Sequence, residues 1–350
     1  MKVAITGEKG FLGYHLTQYY KWIKEYEVIE LGRDYLNNIK LLKDCDLLIH
    51  CAGVNRGYPS VVYQGNISLA QDLVNALNDN NISIDIKFTS STQEDDNNEY
   101  GNSKIKAKQI LTDYCNKNNT DFKSYKIPNI FGPFGKPNYN SFINTFCYNL
   151  VNNKNIKHND NLVTLCYVYD VIESIDNNIE FNTTTISVSD IYHKLKSFHN
   201  DYSQGIIPNL INKFDKDLFN TYRSFASSLF EFTKHTDDRG HLVELVKGRG
   251  SETQVFYSTT KPGITRGNHF HFGKVERFCV LTGKAKISIR KVGSTKKIHY
   301  IIKGEDNKVI DMPLLYTHNI TNIGDENLIC VFWVNEIFDP ENMDTYFEKV

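Results

Sequence analysis

The spacing of apolar residues changes character along the chain. Val3-Ala4-Ile5-Thr6, Tyr26 to Leu31, Asp46 to Ala52 and the stretch through Ile84, Ile86 and Phe88 are short apolar blocks, and the segments between them carry apolar residues three and four apart. Strand and helix in alternation predict an α/β fold with a parallel sheet. From Ser141 to Phe225 the spacing is mostly helical, with breaks at Asn152-Asn153 and Asn177-Asn178. Between Ser227 and Asp238 the period shifts towards two. Thr253 to Thr259, Glu276 to Leu281, Lys284 to Val292, Lys297 to Ile302 and Leu328 to Val334 then read as short strands with glycine or polar turns between them. They predict a small antiparallel barrel or double-sheet roll, and a division of the chain into residues 1–227 and 228–350.

Length agrees with that division, because 350 residues exceed what one hydrophobic core usually covers. A formal net charge of -1 offers no electrostatic attraction to nucleic acid or to an anionic membrane. The 7 cysteines are scattered without paired spacing, which predicts reduced thiols in a reducing compartment. MKVAITGEKG lacks the apolar core of a signal peptide, and no apolar run approaches the ~18 residues of a spanning helix. A soluble cytoplasmic protein is expected.

The candidate chemistry of the first region begins at Gly7, Gly10 and Gly13, between the first strand and the first helix. Glycines there let backbone approach a pyrophosphate, with helix N–H groups and dipole directed at it. After the second strand comes Arg33, suited to a ribose 2′-phosphate, so NADPH is expected; the adjacent Asp34 leaves NAD open. Asn66 either caps the helix it opens or supports an active site, and capping is the simpler expectation. Tyr100 and Lys104 stand one helical turn apart and share a face. The same spacing occurs at Tyr20/Lys24, Tyr192/Lys196 and Tyr257/Lys261, but only Tyr100/Lys104 follows a strand tipped with hydroxyls, Thr89-Ser90-Ser91-Thr92. An ammonium beside a phenol is expected to lower its pKa, giving a group that moves a proton to or from a carbonyl oxygen.

Thr6-Gly-x-x-Gly-Phe-Leu-Gly13, Ala52-Gly53, Ser90-Ser91 and Tyr100-x-x-x-Lys104 resemble the extended short-chain dehydrogenase/reductase family. The resemblance implies a Rossmann domain with Ser91, Tyr100 and Lys104 as catalytic triad, Ser90 and Thr92 being neighbours able to take the serine's place. It implies a cofactor site of Gly7, Gly10, Phe11, Leu12, Gly13, Arg33, Ala52, Gly53, Tyr100 and Lys104. Lys126-Ile-Pro-Asn129-Ile-Phe-Gly-Pro133 resembles the Arg-x-x-Asn-x-x-Gly-Pro segment of the nucleotide-sugar members, with lysine in place of arginine. Asn129, Asn138 and Asn140 are the implied substrate contacts.

In the second region His269 and His271 share one side of a strand, Glu276 lies on the next, and His318 follows. Three imidazoles and a carboxylate suit zinc, with manganese, nickel or iron as alternatives. The spacing Gly-x5-His-x-His-x4-Glu-x6-Gly, followed by Pro-x4-His-x3-Asn, resembles the cupin signature, with Leu315 where a glycine is usual. The predicted fold class is therefore an α/β Rossmann domain followed by an all-β cupin.

Along its whole length the chain resembles the CapF-type bifunctional enzymes of capsular polysaccharide precursor synthesis, through Lys136-Pro-Asn-Tyr-Asn-Ser141, Asp237-Asp238-Arg239-Gly240 and Trp333-Val-Asn-Glu336 among other stretches. That resemblance implies C3 epimerisation of a UDP-4-keto-6-deoxy-N-acetylhexosamine in the cupin. NADPH-dependent reduction at C4 follows, giving UDP-2-acetamido-2,6-dideoxy-L-talose on the route to N-acetyl-L-fucosamine. A homodimer joined through the cupin domains is implied too. Lys261 and Tyr316 are candidates for the group that takes the C3 proton. Two other readings are a one-step nucleotide-sugar reductase whose cupin only dimerises, and a non-catalytic sensor.

Overall fold

The computed structural model describes the chain except for residues 232–233, 238–239, 244–246, 250–252 and 337–340. Asp238 and Arg239 of the resemblance above lie outside the described residues. There are two compact units, one of residues 1–130 and 163–185, the other of residues 131–162 and 186–350.

The first unit contains β1 (Lys2–Thr6), α1 (Phe11–Trp22), β2 (Glu27–Glu30), β3 (Leu47–His50), α2 (Pro59–Asp79), β4 (Asp85–Ser91), α3 (Glu99–Asn118) and β5 (Phe122–Ile127). Its sheet is parallel throughout, in the order β2-β1-β3-β4-β5. Apolar strand residues bury one face against α2 and α3, where Ala4, Leu48, Ile86 and Phe88 meet Leu73, Leu77, Ala107 and Leu111. Tyr125 and Ile127 face the other way, onto Val171 and Ile175 of a helix later in the chain. The strand order reverses between β1 and β3, and in such sheets ligands bind beyond the strands' carboxyl ends at that crevice. The glycine-rich turn and Ala52-Gly53 are the segments that leave those two strands.

The chain continues through β6 (Asn129–Phe131), α4 (Phe142–Val151), β7 (Leu162–Tyr167), α5 (Val168–Asn177), β8 (Thr184–Ser187), α6 (Val188–Tyr202), β9 (Ile206–Ile207) and α7 (Lys213–Arg223). The asparagine breaks are helix ends: Asn152 caps α4, and Asn178 closes α5 in the left-handed conformation. Then come β10 (Leu229–Glu231), β11 (Lys234–Asp237), β12 (Gly240–Val243), β13 (Lys247–Gly248), β14 (Gln254–Thr260), β15 (Thr265–Phe270), β16 (Glu276–Thr282), β17 (Lys284–Lys291), β18 (Lys297–Lys303), β19 (Lys308–Met312), β20 (Tyr316–Asn322), β21 (Leu328–Val334) and β22 (Tyr346–Phe347). Two five-stranded sheets, β10-β19-β16-β21-β14 and β18-β17-β20-β15-β22, form the roll. Phe278, Val280, Ile287, Ile289, Ile320, Cys330 and Phe332 fill the space between them. This is the expected cupin architecture. β19 and β20 escaped the sequence pattern because Val309 to Met312 is buried without alternation and β20 is largely polar.

Helices α6 and α7 are fixed to the roll by a buried charge cluster. Arg277 donates from Nε to Asp311 Oδ1 at 2.6 Å and from Nη2 to Oδ2 at 3.1 Å, with a third bond from Nη1 to the Gly205 carbonyl at 2.7 Å. The Tyr202 hydroxyl donates to Asp311 Oδ2 at 2.5 Å, and Arg223 donates to the Met312 carbonyl. Helices α6 and α7 thus pack in the unit that holds the barrel, although they precede the change of periodicity. Arg277 is 3% exposed and Asp311 1%, so removing one partner strands the other's charge. Arg277→Met is expected to cost about 3–5 kcal/mol in urea unfolding. An added Asp311→Leu should recover part of the loss; an additive second loss would contradict the pairing.

Candidate active site and metal centre

The carboxyl edge of the parallel sheet is assembled by close backbone contacts. Gly7 adopts φ +70, and a Cβ there would stand 2.8 Å from the Ala52 nitrogen. A Cβ on Gly13 would come within 2.1 Å of the Gly7 carbonyl oxygen, so only glycine lets α1 start this close to the turn. Thr6 Oγ1 accepts from the Cys51 and Ala52 nitrogens at 3.2 Å each, joining the two loops at the crevice. Phe11 and Leu12 open α1. Arg33 is exposed just beyond β2, the strand beside β1.

Lys104 is buried and donates to the Thr89 carbonyl at 3.0 Å. Its ammonium also lies 4.9 Å from the Phe88 ring centre and 5.8 Å from that of Tyr100, and it borders Gly53 so closely that a Cβ there would approach it to 3.2 Å. Burial pulls Lys104 down to about 8. Tyr100 moves oppositely: burial pushes its phenol up from the ordinary value. The expected lowering by the neighbouring ammonium is thus corrected, desolvation being the larger effect. A cleft of ≈ 600 Å³ opens beside Tyr100, lined also by Asn55, Arg56, Gly57 and Asn98. Of the candidate hydroxyls, Ser90 is engaged with the buried Glu94 carboxylate, which also meets Lys108 at 3.1 Å. Thr92 is exposed and starts a turn; Ser91, at the strand tip, accepts from the Gln93 nitrogen at 3.2 Å.

Asn66 does not cap a helix. It lies inside α2, accepts from the Val54 nitrogen at 2.9 Å, and donates to the Val54 carbonyl at 2.7 Å and Ser103 Oγ at 3.0 Å. The helix begins seven residues earlier, at Pro59, whose fixed φ suits a first turn. Asn129 belongs to the first unit and sits on β6; Asn138 and Asn140 belong to the second, in the turn before α4. Lys126, where arginine is usual, is exposed and pairs with Asp95 at 2.7 Å.

In the second unit β15 and β20 place His269 opposite His318, their ring centres 4.6 Å apart, with His271 at 5.1 and 5.3 Å. A bulge at Gly267 and Asn268, both at positive φ, sets the register that turns His269 inward. Leu315 adopts φ +54, so the turn before His318 keeps the conformation a glycine would take. Donor atoms of His269, His271, Glu276 and His318 all lie within 4.8 Å of one another. His271 Nδ1 pairs with the Asp344 carbonyl, and His318 Nδ1 with the Tyr316 carbonyl at 3.1 Å. With each Nδ1 engaged by a carbonyl, the two Nε2 atoms are the ones that face Glu276 Oε2, at 3.2 Å from His271 and 3.1 Å from His318. Nitrogens this close to a carboxylate need a proton or a cation between them, and among the described residues His318 Nε2 has no hydrogen-bond partner. Burial and the other two rings pull His269 down to about 3, keeping it neutral. Burial opposes charge on Glu276 and His271, yet their mutual contact wins, holding the carboxyl well below its usual range and the imidazole above. This donor set fits a divalent ion of the zinc type.

A model described as "NAD dependent epimerase/dehydratase family" matches residues 3–187, and one described as "Polysaccharide biosynthesis C-terminal domain" matches residues 235–346. A Pseudomonas aeruginosa protein named UDP-2-acetamido-2,6-beta-L-arabino-hexul-4-ose reductase is 32% identical over 365 aligned residues, covering 99% of this chain and 98% of that protein. The crystal structure of CapF from Staphylococcus aureus, a capsular polysaccharide assembling protein, is 33% identical with a TM-score of 0.59 over 100% of both chains. The chain belongs to the CapF-type family. A second CapF structure, with the inhibitor 3-isopropenyl-tropolone, is 32% identical with a TM-score of 0.57, again over 100% of both chains.

The short-chain dehydrogenase/reductase pattern singled out the glycines and the Tyr100/Lys104 pair, and the cupin spacing the four metal-type donors. Sequence reading left Asn66's clamp on Val54 and the Ser90–Glu94 contact unseen; only the polar character of a helix-interior Asn hints at the first. Among the described residues no helix is long and apolar enough to cross a membrane. Lys104 has a measurable consequence for stability. From about pH 8 to 10.5 the unfolded chain holds the proton that the folded chain has released, so stability should rise with pH across that window. Below it the cost of the buried ammonium is present in full. Relative to Lys104→Met, urea unfolding of the wild-type chain should gain on the order of 1–3 kcal/mol over this range. Parallel pH dependences in the two proteins would contradict the buried, charged state.

Proposed function

We propose that the chain is a bifunctional nucleotide-sugar enzyme of capsular polysaccharide precursor synthesis, with residues 1–227 serving reduction and 228–350 serving epimerisation. The substrate is a UDP-4-keto-6-deoxy-N-acetylhexosamine, epimerised at C3 and then reduced at C4 with NADPH to UDP-2-acetamido-2,6-dideoxy-L-talose, the precursor of N-acetyl-L-fucosamine. The observation that carries this reading is Tyr100, opening on a cleft with the buried ammonium of Lys104 behind it, at the edge of a sheet whose crevice loops suit a dinucleotide. Gly7, Gly10, Phe11, Leu12, Gly13, Ala52 and Gly53 hold the dinucleotide, and exposed Arg33 favours its 2′-phosphate. When bound, NADPH supplies the hydride for C4. Ser91 holds the carbonyl oxygen and Tyr100 gives it a proton, while Lys104 supplies positive charge as the alkoxide develops. Asn129 contacts the nucleotide sugar.

In the barrel, His269, His271, Glu276 and His318 would hold zinc. When bound, the ion would supply positive charge that favours loss of the proton beside a sugar ketone. The tropolone in a CapF structure supports this assignment, since a tropolone presents adjacent oxygens suited to a divalent cation. Lys261 is exposed on a loop, and burial pushes the Tyr316 phenol up, so neither stands out as the C3 base. The exposed apolar residues Val255 and Tyr257 on edge strand β14 suit a homodimer through the barrels. The enzyme acts in the cytoplasm.

The test is to incubate the chain with NADPH and the UDP-4-keto sugar in deuterium oxide and to follow C3 exchange and NADPH oxidation separately. Tyr100→Phe should slow oxidation about 10²–10⁴-fold while leaving C3 exchange intact. Zinc chelation should stop the exchange. Full oxidation by Tyr100→Phe would sink the reductase assignment; exchange that survives chelation would sink the metal's part and favour a one-step reductase with a dimerising barrel.

A further inference from the structure

His271 and Glu276 are separated by the turn Phe272 to Val275, and that turn has an unusual support. Asp344 Oδ1 accepts from the Phe272 nitrogen at 2.8 Å, and Oδ2 accepts from the Gly273 and Lys274 nitrogens at 2.7 and 2.8 Å. The Val275 nitrogen donates to Asn335 Oδ1 at 2.8 Å. All four N–H groups of the turn are thus bound by two side chains. The backbone carbonyl of the same Asp344 pairs with His271 Nδ1, and the Phe272 ring packs edge-on against Tyr346 at 5.1 Å.

We propose that Asp344 is a positioning residue for the metal centre, setting both the tautomer of His271 and the separation of His271 from Glu276. Successive N–H groups converging on one carboxylate form an anion-binding concavity. Here the anion is a side chain from a distant segment, so the turn cannot move without breaking three charge-assisted bonds. With Nδ1 held by the carbonyl, Nε2 is the nitrogen left to face the other donors, and a partner of this kind also raises the ring's basicity as a ligand. The D344N substitution leaves one acceptor oxygen for three donors and sets an N–H₂ group against them, so it is a graded perturbation with side-chain volume unchanged. The inference rests on the metal assignment above.

The experiment measures zinc affinity of the full chain by competition with a chromophoric chelator, for the wild type, D344N, D344A and H271A, together with the ligand-field spectrum of the cobalt(II)-loaded proteins. NADPH binding by the other unit serves as a control for folding. D344N should weaken zinc about 10–100-fold and shift the cobalt bands, with NADPH binding unchanged. D344A should weaken it further; if that variant does not fold, D344N decides. Zinc affinity within about twofold of wild type and an unaltered cobalt spectrum in D344N would overturn the proposal alone, against the loss expected of an outer-shell partner. A wild-type chain that binds no zinc, or an H271A variant that binds it as tightly as wild type, would overturn the metal assignment and this inference with it.

Discussion

An ion taken out of water must be compensated by the fold around it, and both units are arranged about such an ion. In the first it is the Lys104 ammonium, which finds the Thr89 carbonyl and the faces of Phe88 and Tyr100. Gly53 has no side chain because that space is occupied by Lys104 and Asn66. The crevice loops, the clamp on Val54 and the helix carrying Tyr100 therefore meet at one charge. In the second unit the ion is Glu276, facing two imidazole nitrogens and sealed from solvent by the barrel. There the compensation is incomplete among the described residues, where His318 Nε2 has no hydrogen-bond partner.

The contrast matters for chemistry. Arg277 and Asp311 form a buried pair with every strong partner in place, joined by Tyr202, and that cluster serves packing. The Glu276 cluster has the same burial but leaves donor atoms converging on a space between them. Satisfied buried charge reads as architecture; unsatisfied convergent charge reads as a site.

Which parts of this were legible in the sequence follows from how local their causes are. Gly7 and Gly13 are legible because their reason is steric and lies within one turn. His269 and His271 are legible because a strand's period of two brings them together, and Glu276 lies within reach. Leu315 looked like a break in the pattern, but its backbone takes the left-handed turn regardless, since the preference for glycine is an energy and not a prohibition. Asn66 with Val54, Asp311 with Tyr202 and Asp344 with Phe272 were not legible. Their partners are 12, 109 and 72 residues away, and no periodicity records such meetings. The ties of α6 and α7 to the barrel were hidden for the same reason: the residues that make them are polar and dispersed.

The raised phenol of Tyr100 bears on the direction of the proposed reduction. A tyrosine tuned down by its lysine would be partly ionised near neutrality and ready to take a proton, which suits alcohol oxidation. Burial pushes Tyr100 the other way, so it keeps its proton until a stronger base forms beside it. A ketone oxygen is a weak base, but the alkoxide produced as hydride arrives is far stronger than a phenolate, so transfer from Tyr100 becomes favourable only as the carbon–hydrogen bond forms. Lys104, held at about 8, is then mostly charged near neutrality and can stabilise the phenolate that remains. In the proposed reduction, the desolvation that defeats the simplest expectation for this pair therefore favours Tyr100 as the group that gives its proton to the carbonyl.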